Sequence, residues 1–473
     1  MIPRMPLGQK GSTTLATADL VRSFRAAFAG TVITPEDERY DAARAVWNGT
    51  VDARPALIAQ CRSTDDILAA VNLARTAGWP LSVRAGGHSV AGFSVCDDGV
   101  VIDLSLMRGV TVNADTSTAT VEPGATWADF DKATAAYSLA STGGLISTTG
   151  VAGLTLGGGI GWLQRKYGLS CDNLISAEVV TAAGEVVQAS GTENPELLWG
   201  LRGGGGNFGV VTKFVFALHP VSTVLGGLML FPLDRGKTVL KAFRDWAADL
   251  PDEASMLAAI LTAPPEAFVP PELAGQKVVA ILGCWCGDLD AGTAAFEPLR
   301  QLAPSADVFG PMPYTALQGM LDAGAQYGLR NYFRGGYLAD LDDEVIDVAL
   351  EHGARMPSPM SQIHFHQMGG AVGRVAPDAT AFSGRAAGYT YNLVSTWTEP
   401  DEDASHIAAN RELAAALAPL SAGGSYVNFL SDAGGDRVQA AYGGALYDRL
   451  ARLKREYDPA NLFSRNQNIR PAR

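Results

Sequence analysis

The chain has 473 residues, 47% hydrophobic and 18% charged, a balance that excludes a disordered protein. Its formal net charge of -13 argues against nucleic acid or an anionic membrane as partner, since nothing would favour release of phosphate counterions. The start lacks the apolar core of a signal peptide and no window reaches the ~18 apolar residues of a membrane span, so a cytoplasmic protein is expected.

Residues 1–46 read as a polar lead-in with a short helix around Asp19 to Phe28. Ala56 to Cys61 reads as a strand. Ser63-Thr-Asp-Asp66 then opens a helix whose apolar positions run through Leu68, Val71 and Ala74 and which stops at Gly78. Leu81 to Arg84 is the next strand, and it feeds straight into Ala85-Gly-Gly-His88. Ligands are commonly held at the end of a strand in such a β-α-β unit. Further strands are predicted at 100–104, 119–122, 178–181, 185–188 and 210–218, with Ala183-Gly184 as a hairpin turn.

After His219-Pro220, strand-like runs at 228–231, 278–282, 362–365 and 388–394 alternate with helical ones at 237–248 and 404–417. This pattern predicts a second domain, a sheet covered by helices, and an α+β chain as a whole. A helix at 446–455 is placed so that the tail can return to the first domain. The expected boundaries are 47–221 for the first domain, 222–425 for the second and 426–473 for the returning segment.

Glycine accounts for 53 residues and bunches between Gly86 and Gly209. Arg84 to Ser89, Gly153 to Trp162, Tyr167 to Leu174 and Arg202 to Gly209 are stretches of low side-chain bulk. Consecutive N–H groups in such stretches can cradle phosphate oxygens, and a dinucleotide pyrophosphate fits that need; ordinary turns are the alternative. Gly157 to Gly161 lacks the third glycine of a nicotinamide-binding fingerprint. The five cysteines form no ladder of disulfides, and Cys284-Trp-Cys286 lacks the two-residue spacer of redox and zinc motifs. No metal site is expected.

Arg84-Ala-Gly-Gly-His88-Ser, Tyr167-Gly-Leu-Ser-Cys171-Asp-Asn-Leu, Gly203 to Gly209, and the ending Tyr457-Asp-Pro-Ala-Asn-Leu-Phe463 to Ile469 together resemble the berberine bridge enzyme-like flavoprotein oxidases. These belong to the wider vanillyl-alcohol-oxidase group with a PCMH-type FAD-binding domain. The resemblance implies FAD attached covalently twice, through His88 and Cys171. It also implies flavin contacts from Arg84, Ala85, Gly86, Gly87, Ser89, Gly143, Thr149, Gly153, Gly158, Gly161, Asn173, Gly209, Val211, Asn428 and Asn466. On the residues alone, His88 reads more readily as a polar loop residue that caps backbone carbonyls, and Cys171 as a small buried hydrophobe, the commoner fate of a free cysteine. Trp162 and Tyr167 are expected to pack the domain rather than touch substrate.

With FAD as cofactor, a hydride leaves a substrate C–H and a protein base takes the proton from the adjoining O–H or N–H. The family places a tyrosine in a Tyr-x-Asn segment, matched here by Tyr426-Val-Asn428, so Tyr426 is the first candidate base. It would need donors or positive charge to stabilise its phenolate. In Gln362-Ile-His-Phe-His366-Gln, alternation puts His364 and His366 on one face of a strand, making His366 a candidate for proton relay or substrate contact. Tyr391, on another strand, is a secondary candidate. Leu174 falls where some relatives control oxygen access. The expected reaction is oxidation of an alcohol, hemiacetal or amine in a small-molecule substrate (a sugar, oligosaccharide or secondary metabolite), with O2 as acceptor. A dehydrogenase using another acceptor and a non-catalytic flavin-binding protein are the alternatives.

Overall fold

The computed structural model describes residues 19–431 and 434–473. β1 (Thr31–Ile33), β2 (Leu57–Gln60), β3 (Leu81–Arg84) and β4 (Val100–Asp103) form a sheet in the order β1-β2-β4-β3. β4 lies parallel to both β2 and β3 and is buried along its whole length, as an unbroken apolar run in a central parallel strand requires. The helix Thr64–Ala77 connects β2 to β3. Ser63 caps it by accepting from the Asp66 N–H, and Gly78, at φ 65°, ends it. The expected lead-in is partly built into this layer: β1 pairs with β2, and Phe24 and Phe28 bury in the same core as Ile67 and Val71.

The second sheet has the order β5-β6-β10-β8-β9. Its strands are β5 (Val110–Asn113), β6 (Thr118–Val121), β8 (Leu174–Val180), β9 (Val186–Ala189) and β10 (Val210–Ala217). A two-residue pair, β7 (Leu139–Ala140) with β11 (His219–Pro220), stands apart. Alternation along β10 buries Phe214 and Phe216, and Phe216 meets Phe130 edge-on at 5.6 Å. Burial of each ring is worth about 1.5–3 kcal/mol. The helices Gly435–Tyr442 and Gly444–Tyr457 return to this core through Val438, Tyr442, Leu450 and Leu453. Lys454, fully buried, locks the returning segment down: its ammonium donates to the carbonyls of Asn207 (2.7 Å) and Phe463 (2.9 Å) and to Asp458 (2.7 Å).

The remaining strands are β12 (Thr223–Pro232), β13 (Ala254–Thr262), β14 (Lys277–Trp285), β15 (Ala306–Asp307), β16 (Gly310–Pro313), β17 (Arg330–Leu338), β18 (Gln362–Gln367) and β19 (Tyr389–Trp397). They form one eight-stranded sheet in the order β15-β12-β14-β13-β18-β19-β17, with β16 also on β12. One face is covered by Gly236–Ala248, Asp343–Ala354 and Asp403–Leu417, which bury Met229, Phe231, Ile260, Ile281, Phe365 and Leu393. The other face turns toward the first two sheets. β13, β17 and the helix Asp343–Ala354 were not legible in the sequence. No helix among the described residues is long and apolar enough to cross a membrane.

The two halves are stitched together by buried polar contacts. Asn48 donates to the Asn331 carbonyl (2.9 Å) and accepts from the Asn331 N–H (2.9 Å). Gln164 donates to the Gln367 carbonyl (2.8 Å), and the Arg385 guanidinium reaches Asp172 at 2.6 Å. Such groups are costly to bury unless paired, so each fixes the approach of one half to the other.

Candidate active site

A cavity of about 880 Å³ lies between the halves. Its wall on the first half is the loop that follows β3, Ala85 to Ala91, with Thr149, Gly150, Gly153, Gly209 and Val211 beside it. Gly86 packs backbone against backbone on Gly150; a Cβ on Gly86 would lie 2.5 Å from the Gly150 nitrogen. Only glycine permits this contact, and it holds the two loops as one surface. Asn428, Asn466 and Gln467 complete this side from the C-terminal segment.

His88 projects from that loop into the cavity wall. Its ring stacks on Trp47 at 4.2 Å and 17°, and the Trp47 backbone N–H donates to the Gly87 carbonyl (3.0 Å). Tyr327, reaching over from the second half, donates to the Gly86 carbonyl (2.5 Å). The side chain is partly open to the cavity while Nε2 itself is buried and has no protein partner. Burial pushes the imidazole pKa down to about 4, so at neutral pH the ring is uncharged and keeps a free lone pair.

The opposite wall is the open face of the large sheet. Alternation along β18 sends Gln362, His364 and His366 into the cavity and Ile363 and Phe365 into the helical layer. His364 Nε2 bonds Gln362 Oε1 at 2.7 Å, whereas His366 Nε2 is buried without a partner. Burial pushes the His366 pKa well below its ordinary value, and His364 adds to the effect; His364 is itself lowered to about 4 by burial. Both rings are therefore neutral.

Tyr426 lies at the junction, its ring edge-on to Phe429 at 4.8 Å. Its phenol oxygen accepts from the Gly159 N–H (2.9 Å) and from Asn428 Nδ2 (2.8 Å). These donors favour the phenolate, but burial outweighs them and raises the pKa to about 12. Tyr426 thus keeps its proton at neutral pH, which weakens it as a base and suits it as a hydrogen-bond donor.

The structure brings Ala85, Gly86, Gly87, His88, Ser89, Thr149, Gly153, Gly209, Val211, Asn428, Asn466, His366 and Tyr426 to one cavity. Several expected residues do not line it. Arg84 pairs with Asp103 at 2.7 Å inside the first sheet and also donates to the Ala43 carbonyl, so its charge is neutralised there rather than by a phosphate. Cys171 is fully buried among Ile160, Leu169, Tyr337 and Phe382. Burial raises its pKa far above the ordinary thiol value, so neither position nor ionisation suits a flavin-linking thiolate. Asn173 is engaged by His219 Nε2 at 2.6 Å. Gly143 is wedged beside Trp127 and Gln318, Gly158 beside Phe382, and Gly161 against the Gly143 carbonyl. Tyr391 faces the helical layer with Leu393, one residue out of phase with its cavity-facing neighbour Asn392. Leu174 is buried in the core of the second sheet. Trp162 and Tyr167, expected to pack rather than to touch substrate, lie outside the cavity lining in a hydrophobic cluster; Tyr167 stacks on His219 at 4.0 Å. Sequence reasoning missed Tyr327 and Asn392. Alternation along β19 could have found Asn392, but Tyr327 comes from a loop with no local signal.

A large cavity between a glycine-lined wall and a sheet bearing neutral histidines, with orphaned polar atoms on His88, Asn466 and Gln467, has the form of a seat for a bulky polar cofactor facing a substrate chamber. Likeness to known proteins identifies the class. Residues 55–190 match the FAD binding domain family and residues 425–470 the family described as berberine and berberine like. The protein is an FAD-linked oxidoreductase. The chain is 32% identical over 430 residues to an FAD-linked oxidoreductase of Dictyostelium discoideum, covering 90% of this chain and 91% of that one. It superposes on the crystal structure of 6-hydroxy-D-nicotine oxidase from Arthrobacter nicotinovorans with a TM-score of 0.85 and 29% identity, covering 94% of this chain and 99% of that one. Glucooligosaccharide oxidase from Acremonium strictum, described with a 6-S-cysteinyl, 8α-N1-histidyl FAD, shares the fold at a TM-score of 0.84 and 24% identity, over 96% of this chain and 99% of that one. The chain belongs to the berberine bridge enzyme-like FAD-linked oxidoreductases.

Proposed function

We propose that the protein is an oxidase of alcohols or amines in which His88 carries FAD through one covalent bond, to the flavin 8α position, and His366 receives the substrate proton. O2 is the acceptor in this reading, with hydrogen peroxide as product. The observation that carries it is the pair of neutral imidazoles, His88 and His366, each with an unpartnered buried Nε2, lining one cavity from opposite halves. The loops at Ala85 to Ser89 and Thr149 to Gly153, with Asn466, would hold the cofactor. FAD, when bound, supplies a hydride acceptor.

The remaining work falls to the chain's own side chains. His366 Nε2, unprotonated at neutral pH, takes the proton of the substrate O–H or N–H. Tyr426, whose oxygen already accepts two N–H bonds, offers its own hydrogen to the substrate heteroatom and orients it. The apolar walls exclude water from the reacting bond.

Acid denaturation of the purified protein should leave flavin absorbance on the polypeptide. That absorbance should be lost in His88→Ala and kept in Cys171→Ala; retention in His88→Ala, or loss in Cys171→Ala, would refute the single tether. Against a panel of secondary alcohols and amines under anaerobic conditions, His366→Gln should slow flavin bleaching by about 10²–10⁴-fold, the usual worth of a positioned base. A larger loss in Tyr426→Phe than in His366→Gln would reassign the base to Tyr426.

A further inference from the structure

Which alcohol or amine enters is legible in the registry of the large sheet. In one row across its open face, Leu228 stands opposite Leu282, Leu282 opposite Leu257, and Leu257 opposite His366. In the next row, Leu230 faces Ala280, Ala280 faces Ala259, and Ala259 faces His364, which in turn faces Asn392. All of these side chains line the cavity. The surface therefore changes from hydrocarbon to hydrogen-bonding groups along a single line, between β13 and β18.

Strands lie about 4.8 Å apart and residues on one face about 6.8 Å apart along a strand. The apolar floor from β12 to β13 is thus about 10 Å by 7 Å, the footprint of two fused rings. Ala259 and Ala280, side by side, make it lowest next to His364. Among the described residues that line the cavity, only Glu266 and Arg465 carry a fixed charge. Both are exposed and lie outside the large sheet, Glu266 in the loop after β13 and Arg465 in the C-terminal segment. A carboxylate, phosphate or ammonium set on this floor would lose its hydration with no counter-charge. A sugar would leave most of its hydroxyls facing leucine and alanine.

We propose, building on the oxidase reading above, that the substrate is an uncharged, hydrocarbon-rich molecule of about bicyclic size. Its rings lie on the floor formed by β12, β14 and β13, and its single reacting hydroxyl, or an amine that enters unprotonated, crosses the line to His366. Charged and oligosaccharide substrates are rejected by the same floor.

Calorimetric titration of the FAD-loaded enzyme tests this with 1-indanol, its 5-carboxylate and xylobiose as probes. 1-Indanol should bind at least about tenfold tighter than the other two, since the carboxylate must be desolvated and the sugar's hydroxyls left unpaired. Ala280→Leu, which fills the depression, should weaken 1-indanol binding by about tenfold or more with bound FAD undiminished. Leu228→Gln, at the edge of the floor, carries the same expectation should Ala280→Leu not fold. Equal or tighter binding of xylobiose or the carboxylate overturns the proposal, as does unchanged 1-indanol binding in these variants. If binding follows the expected order while no alcohol or amine bleaches the flavin, the substrate assignment stands and the catalytic reading fails.

Discussion

His364 and His366 leave the same strand on the same side, yet their surroundings set them different tasks. His364 is tied to Gln362 and His366 is free on Nε2, so one orients and the other is available to react. Their pH behaviour has a definite sign. A histidine with a folded pKa near 4, as for His364, and an unfolded one near ~6.5 binds more protons when unfolded throughout that interval. Its contribution to stability is complete above about pH 6.5 and is lost as the pH falls toward 4. The melting temperature of the loaded enzyme should therefore drop between pH 6.5 and 4, and a His364→Asn, His366→Gln double variant should show a shallower drop. Parallel melting profiles for the two proteins would mean that these imidazoles are not held neutral by burial. That the two histidines share a face was legible from strand alternation; that one lacks a partner was not, because partners come from other strands.

At the scale of elements, the site depends on connections more than on strands. The loop after β3 is positioned by the Gly86–Gly150 contact, where a Cβ would meet backbone that cannot move aside. Gly78 is a useful contrast: it sits at φ 65° with open space for 4 Å around the place a Cβ would take, so alanine there costs only the left-handed backbone, about 1 kcal/mol. Gly86→Ala should destabilise by about 2–4 kcal/mol, a steric clash cost, and should also reduce the flavin retained per chain, whereas Gly78→Ala should leave flavin content unchanged. Absorbance ratios and melting curves of the two variants decide this. Equal flavin content in both would mean that the loop contact does not shape the seat.

The molecule as a whole closes around groups that neither half can satisfy alone. Asp131, on the helix Trp127–Ala135 of the first half, accepts from Gln318 Nε2 of the second half at 3.0 Å, while its Oδ1 and Gln318 Oε1 lack protein partners. Burial raises the Asp131 pKa to about 7. With an unfolded value near ~3.9, its favourable contribution is complete below that pH and disappears as the pH rises through 7. Asp131→Asn supplies a neutral amide in place of a carboxylate and can meet both Gln318 atoms. It should melt higher than the parent at pH 8, by the equivalent of about 2–4 kcal/mol, with the difference closing toward pH 5. A variant less stable than the parent at pH 8 would show that the charge at this junction is compensated.

Local sequence determined most of the strands, the long helices Thr64–Ala77, Gly236–Ala248 and Asp403–Leu417, the chain returning through Gly444–Tyr457, and the glycine-rich wall that carries His88. It did so because alternation, capping residues and backbone freedom are properties of neighbours in the chain. Tertiary structure alone decided which of the motif residues reach the cavity. Arg84 sits in the same motif as residues that do line it, yet it is spent on Asp103, while the whole stretch from Tyr167 to Leu174 stays out of the lining and Cys171 is sealed in a separate cluster. Tyr391 is turned away by a phase of one residue. It also decided that His366 faces hydrocarbon on one side and hydrogen-bonding groups on the other. Pairing of β13 with β18 joins segments about a hundred residues apart, and that proximity depends on the closure of the whole sheet, which no local pattern encodes.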